Sequence, residues 1–209
     1  MRSASAEADV WYAWVGDHAD DVDRFTGRYL SAEEDARLRR YRSRDAAERY
    51  VVTRSLVRIV LSEHLHIAPR EIRVSRTDTG KPVVAEGLHF NVTHSGDLIL
   101  LALCSERPVG VDVERKRKVQ RVNALVDRWF TEAERLEMAA LTERGTPASD
   151  AFLRIWSFKE ARLKALGVGI SGASGARQRK VDALPLDHLL DTLIEQRDDQ
   201  GYVGALAFA

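Results

Sequence analysis

The sequence predicts an α+β protein, and three observations carry that expectation. Strand-like segments stand near the start ("VWYAWV"), across the middle ("EIRVSRTDTGKPVVAEGLHFNVTHSGDLILLALC" and "VGVDVE") and at the end ("GYVGALAFA"). Between them lie longer stretches with apolar residues at helical spacing. The order of strands, then helices, then strands is met in both halves, with a break at Pro108. The chain is therefore divided into an N-terminal half, 1–108, and a C-terminal half, 109–209.

Taken in order, residues 10–15 form a first strand. Residues 31–65 read as one helical segment rich in arginine, opening with "SAEE", in which Ser31 and Glu34 have capping-box spacing. Short strands punctuated by "TGKP", "EG" and "SGD" follow, the last a hairpin turn. Helices resume at "RVNALVDRWF", "TEAERLEMAAL" and "SDAFLRIWSFKEARLKALG", where Thr131 and Glu134 repeat the capping-box spacing. The residues themselves display no convincing internal repeat.

Composition narrows the function classes. With 209 residues, 44% hydrophobic and 31% charged, the chain suits one large soluble domain or two small ones. Lysine plus arginine number 32 and aspartate plus glutamate 32, so no bulk basic field favours nucleic acid or an anionic membrane. Cys104 is the single cysteine, which excludes internal disulfides and cysteine-built zinc sites and fits a reducing, cytoplasmic setting. Acidic Glu7 and Asp9 precede a short apolar run, unlike a secretory leader, and "LILLALC" is too short to span a bilayer.

In "VGVDVE", alternation puts Asp112 and Glu114 on one face of a half-buried strand and Val111 and Val113 on the other. Two like charges about 6 Å apart at an effective dielectric near 20 repel by roughly 3 kcal/mol, which implies a cation. Either a bound metal supplies it or the surface "RKRK" at 115–118 does. In "WSFKEARLKALG" apolar residues occupy nearly every side of a helix, so it should be largely buried, yet Trp156, Glu160 and Lys164 stack at i, i+4 and i+8. Here the alternatives are a simple Glu160–Lys164 helix pair and a charge line that meets a ligand. "HFNVTHSGD" gathers Thr93, His94 and Ser95 where a strand meets its turn, with a hydrogen-bonded structural histidine as the plain alternative. "HLH" at 64–66 is an ordinary helix end. "GVGISG" at 167–172 fits a glycine-rich nucleotide fingerprint in letters only, since it follows a helix instead of opening one.

Taken together and in order, "GKP", "FNVTHSGD", "GVDVE" and "WSFKEARLKALGVG" resemble the signature of the surfactin-type 4'-phosphopantetheinyl transferases. The resemblance implies a fold of two similar α+β halves related by pseudo-two-fold symmetry, with the active site between them. It implies transfer of the phosphopantetheine arm of coenzyme A to a serine of an apo acyl or peptidyl carrier protein, with Mg2+, releasing adenosine 3',5'-bisphosphate, as in secondary-metabolite biosynthesis. By motif, Asp112, Glu114 and Glu160 match the metal carboxylates, and three carboxylates with pyrophosphate oxygens suit Mg2+. Glu160, Lys164 and His94 match the catalytic set, Lys164 also as the lysine that neutralises the phosphate. Lys81 and Pro82 of "GKP" and the Thr93–His94 pair match coenzyme A contacts, and Arg49, with Arg42 and Arg44, matches the 3'-phosphate end.

The chain departs from the resemblance at "SGASGARQRK", 171–180, which is small and polar where apolar and basic residues are usual. The rival functions are a non-catalytic coenzyme A or nucleotide binding module and a metal-dependent phosphodiesterase. A monomer is expected, because each motif occurs once. A carrier protein is expected to dock beside residues 119–141, where Leu125, Val126, Trp129, Phe130 and Met138 offer more apolar surface than one buried stripe requires. Arg115, Lys116, Arg117, Lys118 and Arg121 would steer it.

Overall fold

The computed structural model describes residues 2–4, 8–85, 87–169, 182–194 and 201–209, and it is a mixed helix-and-sheet structure of the α+β class. Its contacts divide the chain into two compact units, Met1–Val109 and Gly110–Ala209. No helix among the described residues is long and apolar enough to cross a membrane.

The first unit is built on "LILLALC". Strand β6 (Leu98–Cys104) is buried at all seven positions, as a continuous apolar run must be when both faces are covered. It lies between β2 (Asp9–Trp14) and β5 (His89–Ser95) in an antiparallel sheet whose other edge is β1 (Arg2–Ala4). The β5–β6 hairpin closes at "SGD", with Ser95 opposite Leu98 and Gly96 at φ +57°, the left-handed region glycine enters without a Cβ penalty. Helix α3 (Arg44–Leu65) covers the sheet: Val57, Val60 and Leu61 pack with Phe90, Leu101 and Leu103, and Val52 packs with Ile99 and Ala13. Two short pieces, β3 (Ser75–Arg76) and β4 (Pro82–Val83), pair separately.

The single helix expected over 31–65 is two. Helix α2 (Ala32–Leu38) opens at the Ser31–Glu34 capping box, and a second start signal, Ser43, caps α3. Ser43 holds extended angles, φ −93° and ψ 129°, and its side chain accepts from the Ala46 amide. An N-cap cannot be helical, so the second cap breaks the first helix. A helix the sequence reading passed over, α1 (Val22–Tyr29), precedes them. Its Val22, Phe25 and Tyr29, spaced at i, i+3 and i+7, pack on Leu30, Tyr50 and Val51.

In the second unit the sheet order is β7 (Val109–Arg115), β9 (Tyr202–Phe208), β8 (Asp182–Pro185). Helices α4 (Val122–Trp129), α5 (Glu132–Glu143) and α6 (Ala148–Leu166) follow β7, and α7 (Asp187–Ile194) follows β8. Strand β8 and helix α7 are not among the expected elements, although Leu186, Leu189, Leu190 and Leu193 stand at helical spacing, and Leu186, Leu190 and Leu193 are buried. Residues 170–181, which include all of "SGASGARQRK" and the end of "GVGISG", fall outside the described residues.

Helix α6 is apolar nearly all round, and it is buried accordingly: Ala151, Phe152, Leu153, Ile155, Ala161, Leu163 and Ala165 are all below a tenth exposed. It approaches the sheet through small residues, Ala161 and Ala165 against Ala205 and Ala207. Gly110 lies against it so closely that a Cβ there would stand 2.1 Å from the Ala161 carbonyl oxygen and 2.3 Å from the Ala165 nitrogen.

Strand β7 is not half-buried as its alternation suggests. Every residue from Val109 to Val113 is buried, Asp112 at 6% exposure included, and only Glu114 and Arg115 reach solvent. Alternation fixes which face a side chain takes but says nothing of what covers that face, and here α6 lies over the face that carries Gly110, with β9 beside β7 in the sheet. Phe130 and Met138, expected on a docking face, belong to the core with Phe152 and Val203, and Leu125, Val126 and Trp129 pack against that core. The exposed large apolar residue of α5 is Leu136, at 64%.

Candidate functional site

The charges of the second unit meet where α6 passes β7. Lys164 Nζ donates to Asp112 Oδ1 at 2.6 Å and to the Val111 carbonyl at 3.3 Å. Lys164 thus reaches across to the strand rather than pairing only along its own helix. Glu114 accepts from Arg117 Nη1 at 2.7 Å, so the "RKRK" run does supply a surface cation to one of the two strand acids. The third acid stands apart from such pairing. Glu160 Oε1 is buried with no hydrogen-bond partner among the described residues.

Burial pushes the Glu160 carboxyl above its ordinary range; the Lys164 charge opposes the rise, and the charges of Asp112 and Glu114 add to it. Among the described residues no group of three acid, histidine or cysteine side chains stands at metal-holding spacing. The donor chemistry nonetheless fits a hard dication: three carboxylates, two of whose charges act on the third, Glu160, which has a buried oxygen without a hydrogen-bond partner among the described residues. Asp112, Glu114 and Glu160 are the residues able to hold such an ion.

A stability prediction follows from the direction of that shift. A carboxyl whose folded pKa exceeds its ordinary 4.5 stabilises the fold fully only below about that pH, and the contribution is lost as pH rises through the raised value. Glu160→Gln is neutral throughout. In buffer containing a chelator it is expected to melt above the unsubstituted protein at pH 7, with the gap closing towards pH 4. Equal melting temperatures at pH 7 would count against a buried, destabilising acid.

In the first unit, Lys81 Nζ donates to the Val109 carbonyl at 3.2 Å, and burial lowers its pKa to about 8. Pro82 follows in β4, opposite Arg76. His89, which the sequence reading passed over, is lowered by burial and by the Lys81 charge. Thr93, His94 and Ser95 end β5 where it meets the turn at Gly96; Thr93 is buried on the face it shares with Asn91, whereas His94, on the face of Phe90 and Val92, is exposed.

The three candidate arginines separate. Arg49 is half-buried and its Nε has no hydrogen-bond partner among the described residues. Arg44 is exposed and bound to Glu48 at 2.6 Å. Arg42 lines a surface groove with Arg37, Arg40, Tyr41 and Ser43, so two further arginines of the run "RLRRYR" that motif matching did not single out line the same groove.

The chain is thus an α+β protein that carries three acids on strand β7 and helix α6 of its second unit. Residues 19–106 match the family described as "4'-phosphopantetheinyl transferase, N-terminal", and residues 108–199 match the "4'-phosphopantetheinyl transferase superfamily". The chain belongs to the 4'-phosphopantetheinyl transferase family.

Among curated proteins it is 31% identical over 154 residues to "4'-phosphopantetheinyl transferase ffp" of Bacillus subtilis, covering 73% of this chain and 66% of that protein. It is 34% identical over 154 residues to a "Phosphopantetheinyl transferase" of Thraustochytrium sp., covering 68% and 54%. To "4'-phosphopantetheinyl transferase Sfp" of Bacillus subtilis strain 168 it is 29% identical over 154 residues, again covering 73% and 66%. The chain thus spans just under two thirds, or little over half, of the length of these relatives.

Proposed function

We propose that this protein transfers the 4'-phosphopantetheine group of coenzyme A to a serine of an apo acyl or peptidyl carrier protein, leaving adenosine 3',5'-bisphosphate. The observation that supports it most is Glu160: a buried acid with an unsatisfied oxygen, on the helix of the "WSFKE" motif, acted on by the charges of the two acids of "GVDVE". Family membership adds the reaction class. In this reading Asp112, Glu114 and Glu160 hold Mg2+, which when bound would neutralise charge on the pyrophosphate.

The residues of the chain do the rest. The serine oxygen attacks the phosphorus that carries the pantetheine arm, the bond from that phosphorus to the bridging oxygen breaks, and adenosine 3',5'-bisphosphate departs with the electron pair. Glu160 accepts the serine proton directly or through a water. Without metal, burial raises its pKa, and a cation bound to it would act against that rise. Lys164, held on Asp112, supplies a cation to the phosphate oxygens. Lys81, Pro82, Thr93 and His94 are assigned to coenzyme A, and Arg49, with Arg42 and Arg44, to its 3'-phosphate.

The same reading makes 1–108 the half that contacts coenzyme A and 109–209 the half that carries metal and catalysis, the two being related by pseudo-two-fold symmetry. In support, α1 and α4 each have eight residues, each is followed by a capping box, and each capping-box acid meets a buried cation 24 or 25 residues later. We read the protein as a cytoplasmic monomer, with Leu136 and the basic run 115–121 facing the carrier protein.

Mass spectrometry of an apo carrier protein incubated with coenzyme A, Mg2+ and this protein tests the reading. A gain of roughly 340 Da, the phosphopantetheine group, is expected. Coenzyme A binding without any gain across peptidyl and acyl carriers would leave a binding module, and hydrolysis of the pyrophosphate without modification would leave a phosphodiesterase.

A further inference from the structure

Lys159 stands one residue before Glu160 and is only 7% exposed. A buried ammonium needs a partner, and its Nζ donates to both oxygens of Glu134, at 3.1 and 2.8 Å. Glu134 is itself fixed. As the acid of the α5 capping box, its Oε2 accepts from the Thr131 amide at 2.7 Å and from Thr131 Oγ1 at 3.0 Å, while the Glu134 amide donates back to Thr131 Oγ1 at 3.3 Å. An unbroken series of bonds therefore runs from the backbone at the start of α5 to the side-chain head of Lys159 on α6.

Successive helical residues differ by about 100° around the axis, so a roll of α6 that moves Lys159 moves Glu160 with it. Glu160 Oε1 has no tether of its own among the described residues. The aim of its carboxylate is inherited from the helix. We propose that the Glu134–Lys159 ion pair is a positioning device that sets the roll of α6 and thereby the placement of Glu160. The inference rests on the transfer reading only through the role that reading gives Glu160.

The first unit supplies a comparator of the same chemistry. Glu34, the capping-box acid of α2, accepts from the buried Arg58, which is 3% exposed and also donates to the carbonyls of Pro69 and Ile72. The residue after Arg58 is Ile59, not an acid. Breaking that pair should cost stability alone.

The experiment compares Lys159→Met/Glu134→Gln with Arg58→Met/Glu34→Gln. Each double variant removes both charges of its pair and keeps a glutamine able to complete the capping box; Glu34→Gln also takes the carboxylate from half-buried Arg54, 3.8 Å away, which adds to the stability cost in the first unit. Carrier modification kinetics, Mn2+ affinity by electron paramagnetic resonance and melting temperature are measured for both. The Lys159 pair is expected to lose roughly 10–100-fold in kcat with KM for coenzyme A little changed. Its Mn2+ affinity should fall by about 10-fold.

The Arg58 pair should lower melting temperature comparably and leave kcat and Mn2+ affinity within a factor of about two, as distant independent sites do. Lys159→Arg, which keeps a charged fork on Glu134, should recover most of the rate. Equal losses of kcat in both pairs, or none in the Lys159 pair, would overturn the proposal. If the unsubstituted protein modifies no carrier, the transfer reading fails, but the Mn2+ comparison still decides the device: weakened affinity in the Lys159 pair alone supports it, and parity overturns it. Should the Lys159 pair not fold, Glu134→Asp, whose shorter arm draws Lys159 towards α5, must show the same split.

Discussion

Gly110→Ala is expected to destabilise the protein by at least about 3 kcal/mol, because the added methyl meets backbone rather than a side chain able to swing away. The Cβ would lie 2.1 Å from the Ala161 carbonyl oxygen, 2.3 Å from the Ala165 nitrogen and 3.0 Å from the Ala165 Cα, so β7 and α6 must part to admit it. The requirement is one of space, since Gly110 is not among the glycines with positive φ. For a chain of this size about 3 kcal/mol corresponds to a fall in Tm of roughly 6–12 °C.

Gly27→Ala makes the useful contrast. It lies in α1 with nothing within 4 Å of its added Cβ, so the methyl should stabilise slightly, by up to about 1 kcal/mol, through helix propensity and lost unfolded-state freedom. Thermal melts followed by circular dichroism separate the two. A Gly110→Ala protein that melts with the unsubstituted one would show that α6 and β7 can separate without cost, and the placement of Glu160 against Asp112 would then lose its foundation. Activity should fall further than stability, because the same separation displaces Glu160 from the acids of β7.

Why Gly110 stands in "VGVDVE" was not readable from the strand pattern. Alternation located Asp112 and Glu114 on one face and Val111 and Val113 on the other, but the cover over the face that Gly110 shares with Asp112 comes from α6, about 50 residues later in the chain. Local signals fared well where the physics is local. Both capping boxes form with the expected partners, the "SGD" turn closes a hairpin, and the nearly all-apolar α6 is buried.

The failures have the same cause in reverse. The break between α2 and α3 was written in Ser43, a second cap inside an otherwise helical run, and was outweighed by the long periodic pattern around it. Helix α1 was hidden by the polar stretch that carries Val22, Phe25 and Tyr29. The second use of the capping-box acids, as anchors for buried Arg58 and Lys159, depends on tertiary contacts 24 and 25 residues apart and leaves no trace in either box alone. An offset of exactly the same kind in both halves, with α1 at Val22–Tyr29 and α4 at Val122–Trp129, was nevertheless available to a search for equal spacing of caps rather than of similar residues.

The three acids are expected to divide when each is replaced by its amide. Asp112 and Glu114 are held in this structure by Lys164 and Arg117, and their assigned part is to bind metal. Asp112→Asn and Glu114→Gln should therefore weaken Mg2+ binding, and raising Mg2+ should recover part of the carrier modification rate. Glu160 is different in kind. It is half-buried, and its Oε1 is buried with no partner among the described residues, so it is assigned the serine proton as well as a share of the metal. Glu160→Gln should keep its affinity for coenzyme A and lose roughly 100–10,000-fold in rate, the usual worth of a general base, with little recovery at high Mg2+. The measurement is rate against Mg2+ concentration for the three variants, with coenzyme A affinity by calorimetry beside it. Rescue of Glu160→Gln as complete as that of the other two would make Glu160 a ligand only and move the base to a metal-bound water. Near-normal rates at low Mg2+ in all three would remove the metal from these acids altogether.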